Sequence, residues 1–296
     1  MYISQELGND VLKNLLELKD KRKVPNGAVF LSGSGSNAEK VLACREKTAA
    51  AWCPALIITD APEKSRAAEI ATEYQLPLVE LSIREFYRRH GERKVSLASE
   101  NGRRIRELWT SALREKIAPY EIDFGILAGF VPLTNITGDF PCLNVHPGDL
   151  TVELDGRRLL VGLHAIPTEL AIINGFKTIR SSVIIAQPYT GKGGEMDSGP
   201  VLGVSPEMKL DMQGKTSKEL LAVYKSRPEK KPPGGWNDDL SRIAAANQER
   251  LKEKGDWIVF PQVVNDFAAG KFAVEGNALY FKRENGWEKV KTVEYK

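Results

Sequence analysis

The chain has 296 residues, 42% of them hydrophobic and 27% charged, with 42 Lys+Arg against 39 Asp+Glu. This is ordinary globular usage, which excludes disorder along the whole chain, and no apolar run approaches the ~20 residues that a bilayer crossing needs. A formal charge of +3 gives no electrostatic reason to expect nucleic acid or a membrane as a partner.

In chain order, Gln5 to Asp20 reads as an amphipathic helix with Leu7, Val11, Leu12, Leu15 and Leu18 on one face, forming an N-terminal extension over 1–25. Pro25-Asn26-Gly27 breaks it. A core domain over 26–270 follows. Apolar runs at Ala28–Leu31, Ala55–Thr59, Leu76–Leu81, Phe124–Ala128 and Cys142–Val145 read as strands, with helical patterns from Ala38, over Lys64–Tyr74 and over Ser99–Lys116 between them. Strands alternating with helices predict parallel β-α-β units, a twisted sheet covered by helices on both faces. Ala165–Asn174 reads as a helix closed by Gly175, and Ser181–Ala186 and Val201–Ser205 as further strands. Lys225–Asp239 is rich in Pro, Gly and Lys and reads as an exposed insertion. A helix is expected from about Asp239 to Lys254, and another apolar pattern covers Val259–Phe267. The tail, 271–296, alternates around Gly276-Asn277 and predicts a β-hairpin.

Cys44, Cys53 and Cys142 are odd in number and lack C-x-x-C spacing, so they read as small buried hydrophobes and not as a disulfide framework or zinc site. No metal is expected, because His146 and His164 lack a partner set at zinc-ligand spacing. The N-terminus has no clean signal-peptide core, and a cytoplasmic location is expected.

Two features carry candidate chemistry. Ser32-Gly33-Ser34-Gly35-Ser36-Asn37-Ala38 joins a strand to a helix. Glycines there let backbone N–H groups approach an anion at the helix N-terminus. The spacing Gly33 to Ala38 also fits G-x-G-x-x-A, with Asp60 placed for a ribose, so a dinucleotide, a simple phosphate and a ligand-free capped turn all remain open. The second feature is Leu143-Asn144-Val145-His146-Pro147 at a strand end, where alternation projects Asn144 and His146 together. An amide that donates to an oxyanion and an imidazole that moves a proton suit acyl chemistry. Asp197, in Glu195-Met196-Asp197-Ser198-Gly199-Pro200-Val201, is an acid able to orient such a His, or else simply part of an Asx turn.

SGSGSN, ILAGFVPL, LNVHPG, VGLHAIPTELAI and EMDSGPVL occur in this order. The set resembles the 10-formyltetrahydrofolate-dependent formyltransferases, nearest the branch that formylates glycinamide ribonucleotide in purine synthesis. The resemblance implies a Rossmann-like α/β formyltransferase fold and a catalytic Asn144, His146 and Asp197. It implies an acceptor phosphate cradle at Gly35, Ser36 and Asn37, and Asp256 at the acceptor ribose, where the family usually has the longer Glu. The co-substrate 10-formyltetrahydrofolate is expected beside Phe130, Val131, Leu133, Glu195 and Met196. Gly162 and His164 are candidates for the acceptor pocket. Expected partners are small-molecule substrates, with the chain a monomer or homodimer. The chain departs from the family over Gly148–Val161, at Val131-Pro132 where relatives carry Met-Arg, over Pro188–Gly194 and over Lys225–Asp239. Alternative expectations are another acceptor such as an amino sugar nucleotide, hydrolysis of formyltetrahydrofolate, an NAD-dependent oxidoreductase, and a non-catalytic binding module.

Overall fold

Ala28 and Phe30 lie in one hydrophobic cluster, and Val29 and Leu31 lie in another. The strand they belong to is therefore buried on both faces, the condition for a sheet between two layers of helices. A computed structural model describes residues 11–18, 24–47, 51–190 and 196–296. Its first half runs β1 (Lys13–Asn14), β2 (Asn26–Leu31), α1 (Ser36–Lys47), β3 (Cys53–Thr59), α2 (Ala67–Glu73), β4 (Leu78–Glu80), α3 (Ile83–Arg89), α4 (Glu100–Ile117), β5 (Phe124–Leu127) and β6 (Cys142–His146). A small hairpin follows, β7 (Glu153–Leu154) and β8 (Arg157–Arg158), then α5 (Ile166–Ile173), β9 (Thr178–Ile179), β10 (Ser182–Ala186), β11 (Val201–Val204) and β12 (Met208–Lys209). The chain ends with α6 (Ser217–Ser226), α7 (Asp239–Leu251), α8 (Trp257–Ala268), β13 (Phe272–Glu275), β14 (Ala278–Arg283), β15 (Gly286–Val290) and β16 (Val293–Glu294).

Among the described residues the main sheet has eight strands in the order β4-β3-β2-β5-β6-β10-β11-β16. The run from β4 to β6 is parallel, β10 runs antiparallel to both β6 and β11, and β16 pairs parallel with β11. Helices α1, α2 and α8 cover one face through Val41, Ile70 and Phe260. The other face is covered by α3 and α4 through Tyr87, Ile105 and Trp109. Helices α5, α6 and α7 enclose a separate cluster around Leu160, Ile172, Leu220 and Ile243.

The helix expected over Gln5–Asp20 is not formed over 11–18. There β1 pairs antiparallel with β13, and the Leu15 amide donates to the Phe272 carbonyl at 3.0 Å. An isolated helix of this length gains little in water, whereas the edge of β13 offers unpaired backbone groups. Leu16 is then buried with Phe272, Leu279 and Phe281. The rest of that expectation, on 5–10 and 19–20, lies outside the described residues. The tail forms the expected hairpin and one strand more, β13 to β15, after which β16 joins the main sheet beside β11. The Lys225–Asp239 segment is exposed over 228–234. Its first residues extend α6, a helix opened by a capping box between Thr216 and Glu219.

Candidate functional site

The carboxyl ends of β2, β3, β5 and β6 lie along one edge of the sheet, where open α/β folds bind ligands. At the end of β2, Gly35 adopts φ +71° and begins α1. A Cβ at Gly35 would sit 2.3 Å from the Ile70 Cδ1, so only glycine closes this turn. The first N–H groups of α1 have no partner within the helix, the arrangement that can receive an anion at a helix start. Asn37, in the first turn, donates to Asp256 at 3.1 Å across 219 residues of sequence. Asp256 stands at the end of a single π-helical turn, Lys252–Asp256, and is 6% exposed. Its second carboxylate oxygen accepts the Ser181 hydroxyl at 2.5 Å. Burial pushes the Asp256 carboxyl up to about 6, against the pull of these two donors. The Asn37 Oδ1 is buried and has no hydrogen-bond partner among the described residues.

In β6, Leu143 and Val145 pack with the α1, α2 and α8 layer, and Cys142 packs with the opposite layer. Strand alternation therefore places Asn144 and His146 on the Cys142 face. Asn144 is half-buried, beside Leu127 of β5 and Ile184 of β10 in register, and its amide makes no hydrogen bond among the described residues. His146 lies beside Ser182 of β10. The Ser182 hydroxyl holds the turn after it, donating to the Gly148 carbonyl at 2.8 Å and accepting the Leu150 amide at 2.9 Å.

The structure brings His146 and Asp197 together. The His146 Nδ1 is 3.7 Å from the Asp197 Oδ2, with the His146 side chain 3% and the Asp197 side chain 31% exposed. On the other side of the ring, Nε2 lies 2.7 Å from the Leu160 carbonyl oxygen. A carbonyl only accepts, so Nε2 carries a proton, and in the neutral ring Nδ1 is the basic nitrogen, turned toward Asp197. At 3.7 Å the pair is too far apart for a direct hydrogen bond and close enough for strong charge interaction. Burial holds His146 below the ordinary imidazole range, opposed by the Asp197 carboxylate and the Leu160 carbonyl. A proton on Nδ1 would therefore face the carboxylate, which is itself partly exposed.

Asp197 sits in a short 3₁₀ turn, Met196–Ser198. Gly199 after it touches β10, where a Cβ would fall 1.9 Å from the Ile185 carbonyl oxygen. That contact explains the glycine two residues after the acid. The turn is also held by a residue that motif reading does not single out. Arg158 donates through Nη1 to the Asp197 carbonyl and through Nη2 to the Gly199 carbonyl at 2.7 Å. The signal for it was local: Asp155-Gly156, both at positive φ, form the two-residue turn of the β7–β8 hairpin and aim Arg158 inward. A cavity of about 420 Å³ lies beside it, lined by Leu154, Asp155, Arg157, Arg158 and Leu159.

On the expected co-substrate side, Val131 is 48% exposed, whereas Phe130 turns inward, edge-on to Phe30 at 5.3 Å. Leu133 is partly buried in the α3 and α4 layer, and Met196 is buried there. Glu195 lies outside the described residues. This loop is anchored by Ser32, whose hydroxyl donates to Asp60 and accepts the Val131 amide at 2.9 Å. Asp60, which the glycine spacing left open as a ribose ligand, is 5% exposed and committed to that contact. His164, in the left-handed region at φ +55°, is exposed, and Gly162 is packed against Ile166. Neither joins the His146–Asp197 pair by any hydrogen bond or ion pair among the described residues. Among those residues no group of three or more His, Cys, Asp or Glu is placed to hold a metal ion.

No family profile matches the chain, and no curated protein sequence matches it. Solved structures do. The phosphoribosylglycinamide formyltransferase of Coxiella burnetii superposes with a TM-score of 0.57 at 17% identity, covering 93% of this chain and 100% of that one. The glycinamide ribonucleotide transformylase 1 of Symbiobacterium toebii gives 0.55 at 20% identity, over 90% and 97% of the two chains. The phosphoribosylglycinamide formyltransferase of Anaplasma phagocytophilum gives 0.53 at 18%, over 92% and 98%. At these identities the likeness is one of fold.

Proposed function

From a chain with the Rossmann-like fold of the formyltransferases, we propose an enzyme that moves a formyl group from 10-formyltetrahydrofolate to a primary amine, with glycinamide ribonucleotide as acceptor. The observation that carries this reading is the approach of His146 Nδ1 to Asp197 at 3.7 Å, at the strand end that also presents Asn144. The neutral amine nitrogen attacks the formyl carbon, and the carbonyl oxygen takes up negative charge. The Asn144 amide, otherwise unengaged, donates to that oxygen. The proton shed by the amine passes to the His146–Asp197 pair. It then reaches the N10 of the folate as the C–N10 bond breaks, which leaves tetrahydrofolate and the formylated amine. The acceptor phosphate rests on Gly35, Ser36 and Asn37, and the folate beside Val131 and Leu133. No covalent enzyme intermediate is needed. The product would enter purine synthesis.

Removing one preorganised oxyanion donor costs about 3 kcal/mol, so Asn144→Ala is expected to lose ~10²-fold or more in kcat. Tetrahydrofolate release is measured with and without the acceptor. The expected result is release that requires the amine and is largely lost in His146→Ala and Asp197→Asn while circular dichroism is unchanged. Release without any amine makes the protein a hydrolase, and wild-type turnover in both variants removes the assignment.

One observation favours a different acceptor. Asp256 is 6% exposed and each of its carboxylate oxygens already accepts a hydrogen bond, from Asn37 or Ser181, so the residue expected at the acceptor ribose is recessed. A panel that includes amino sugar nucleotides and other phosphorylated amines, compared by kcat/KM, decides between them.

A further inference from the structure

The β7–β8 hairpin lies in the segment where the chain departs from the formyltransferase pattern, and it touches both halves of the His146–Asp197 pair. The Leu160 carbonyl, just after β8, accepts the hydrogen bond from the Nε2–H of His146. Arg158, within β8, forks onto the carbonyls of Asp197 and Gly199. The two contacts are two residues apart on one short element, and they meet groups 51 residues apart in the chain (146 and 197). The Asp197 turn is thus pinned from two directions. On one side Gly199 abuts β10, with the Gln187 amide donating to the Met196 carbonyl at 3.0 Å. On the other side is the guanidinium. A planar guanidinium presents two N–H donors in fixed directions to two neighbouring carbonyls, a geometry that the point-like Lys ammonium does not reproduce.

We propose that Arg158 is a positioning residue, which clamps the turn bearing Asp197 so that its carboxylate faces His146 Nδ1. It touches neither reacting group in this arrangement and acts through Asp197. The placement also puts a fixed positive charge beside the imidazole. The charged groups around His146 are few. Asp197 and Arg158 face it, and Glu153 stands opposite Arg158 across the hairpin. Asp149, after β6, is turned to Arg180 at 3.1 Å, and Glu169 of α5 to Arg227 at 2.6 Å. Its register neighbour in β10, Ser182, is uncharged. The Arg158 cation opposes protonation of His146, which leaves the pair able to release its proton. The kinetic part of this inference rests on the formyl-transfer reading; the electrostatic part does not.

The test uses the full chain and reads His146 directly. The protein has three histidines, so His90→Gln and His164→Gln assign its ring resonance by elimination in a proton–nitrogen correlation spectrum. Arg158→Lys returns the charge but not the fork, so the Asp197 carboxylate is released while the cation stays. The His146 titration midpoint is then expected to fall below the wild-type value, the acid limb of kcat/KM moves to lower pH with it, and kcat falls by ~10-fold or more at nearly unchanged KM for the folate. Arg158→Met removes the cation as well, and its midpoint is expected above that of Arg158→Lys. A residue with a merely structural role would lower kcat in both variants without moving the His146 midpoint. A wild-type midpoint in a folded Arg158→Lys protein overturns the proposal, as does full kcat in that variant. If the midpoint moves as expected while no variant, nor the wild type, transfers formyl groups to any amine, the positioning role of Arg158 stands and the proposed function fails.

Discussion

Asp256 sits at 6% exposure and accepts hydrogen bonds from Asn37 and Ser181. Its carboxyl titrates near 6 because burial penalises the charged form. The folded state then holds this proton more tightly than the unfolded chain. The group therefore adds stability as pH falls from about 6 toward the ordinary carboxylate value, and it costs stability above 6. Asp256→Asn removes that dependence. Its Tm relative to wild type is expected to be highest at about pH 7.5 and to fall by about pH 4.5, read from paired thermal melts. A constant difference across that range would place the proton elsewhere. The same residue ties the start of α1 to the turn before α8, because Asn37 gives its Nδ2 to Asp256 and leaves its Oδ1 without a partner among the described residues. A buried acceptor without a donor is costly, and a ligand hydroxyl or amine reaching it would remove that cost.

At the scale of elements, the Lys225–Asp239 segment is exposed in composition and anchored in fact. Arg227 pairs with Glu169 of α5 at 2.6 Å and with Asp238 at 2.8 Å, and its side chain is only 7% exposed. The guanidinium also lies 4.9 Å from the Trp236 ring and 5.4 Å from Tyr224. Both ends of the segment thus return to one cation. Arg227→Ala leaves Glu169 buried and unpaired, and is expected to cost about 3 kcal/mol in urea unfolding and to speed proteolysis within 228–237. Equal digestion rates in variant and wild type would show that the anchor is not what orders the segment. The Arg227 partner holds Asp238 down to about 2. Its share of stability is full above the ordinary carboxylate range and is lost as pH falls toward 2, the opposite sign to Asp256. Composition alone does not reveal this anchor, because Arg227 belongs to a run of Lys, Pro and Gly that otherwise reads as solvated. The β7–β8 hairpin is the reverse case. Asp155-Gly156 announces a two-residue turn, but strands of two residues carry too little alternation to stand out.

Across the whole molecule the tail and the N-terminal segment complete a core begun by the parallel strands. Leu16, 7% exposed, packs with Phe272, Leu279 and Phe281, while Val293 and Tyr295 reach the layer of α8 from β16. Leu16→Ala is expected to lower unfolding free energy by about 2 kcal/mol, at the lower end for a buried leucine because the site is peripheral. A loss within error would mean that the segment only drapes the tail sheet. The chain's periodicities were enough for the βα alternation, because apolar spacing is local and each helix or strand must bury its own face. They were also enough for the glycine turn into α1, the Asn-x-His strand end and the tail hairpin. They misled over 11–18, where leucines at helical spacing serve equally well to cover a sheet edge. The meetings of His146 with Asp197, Asn37 with Asp256 and Arg158 with the Asp197 turn were decided by tertiary structure alone. Each joins residues that share no local periodicity, and what places them side by side is the order of strands in the sheet and the hairpin folded across its edge.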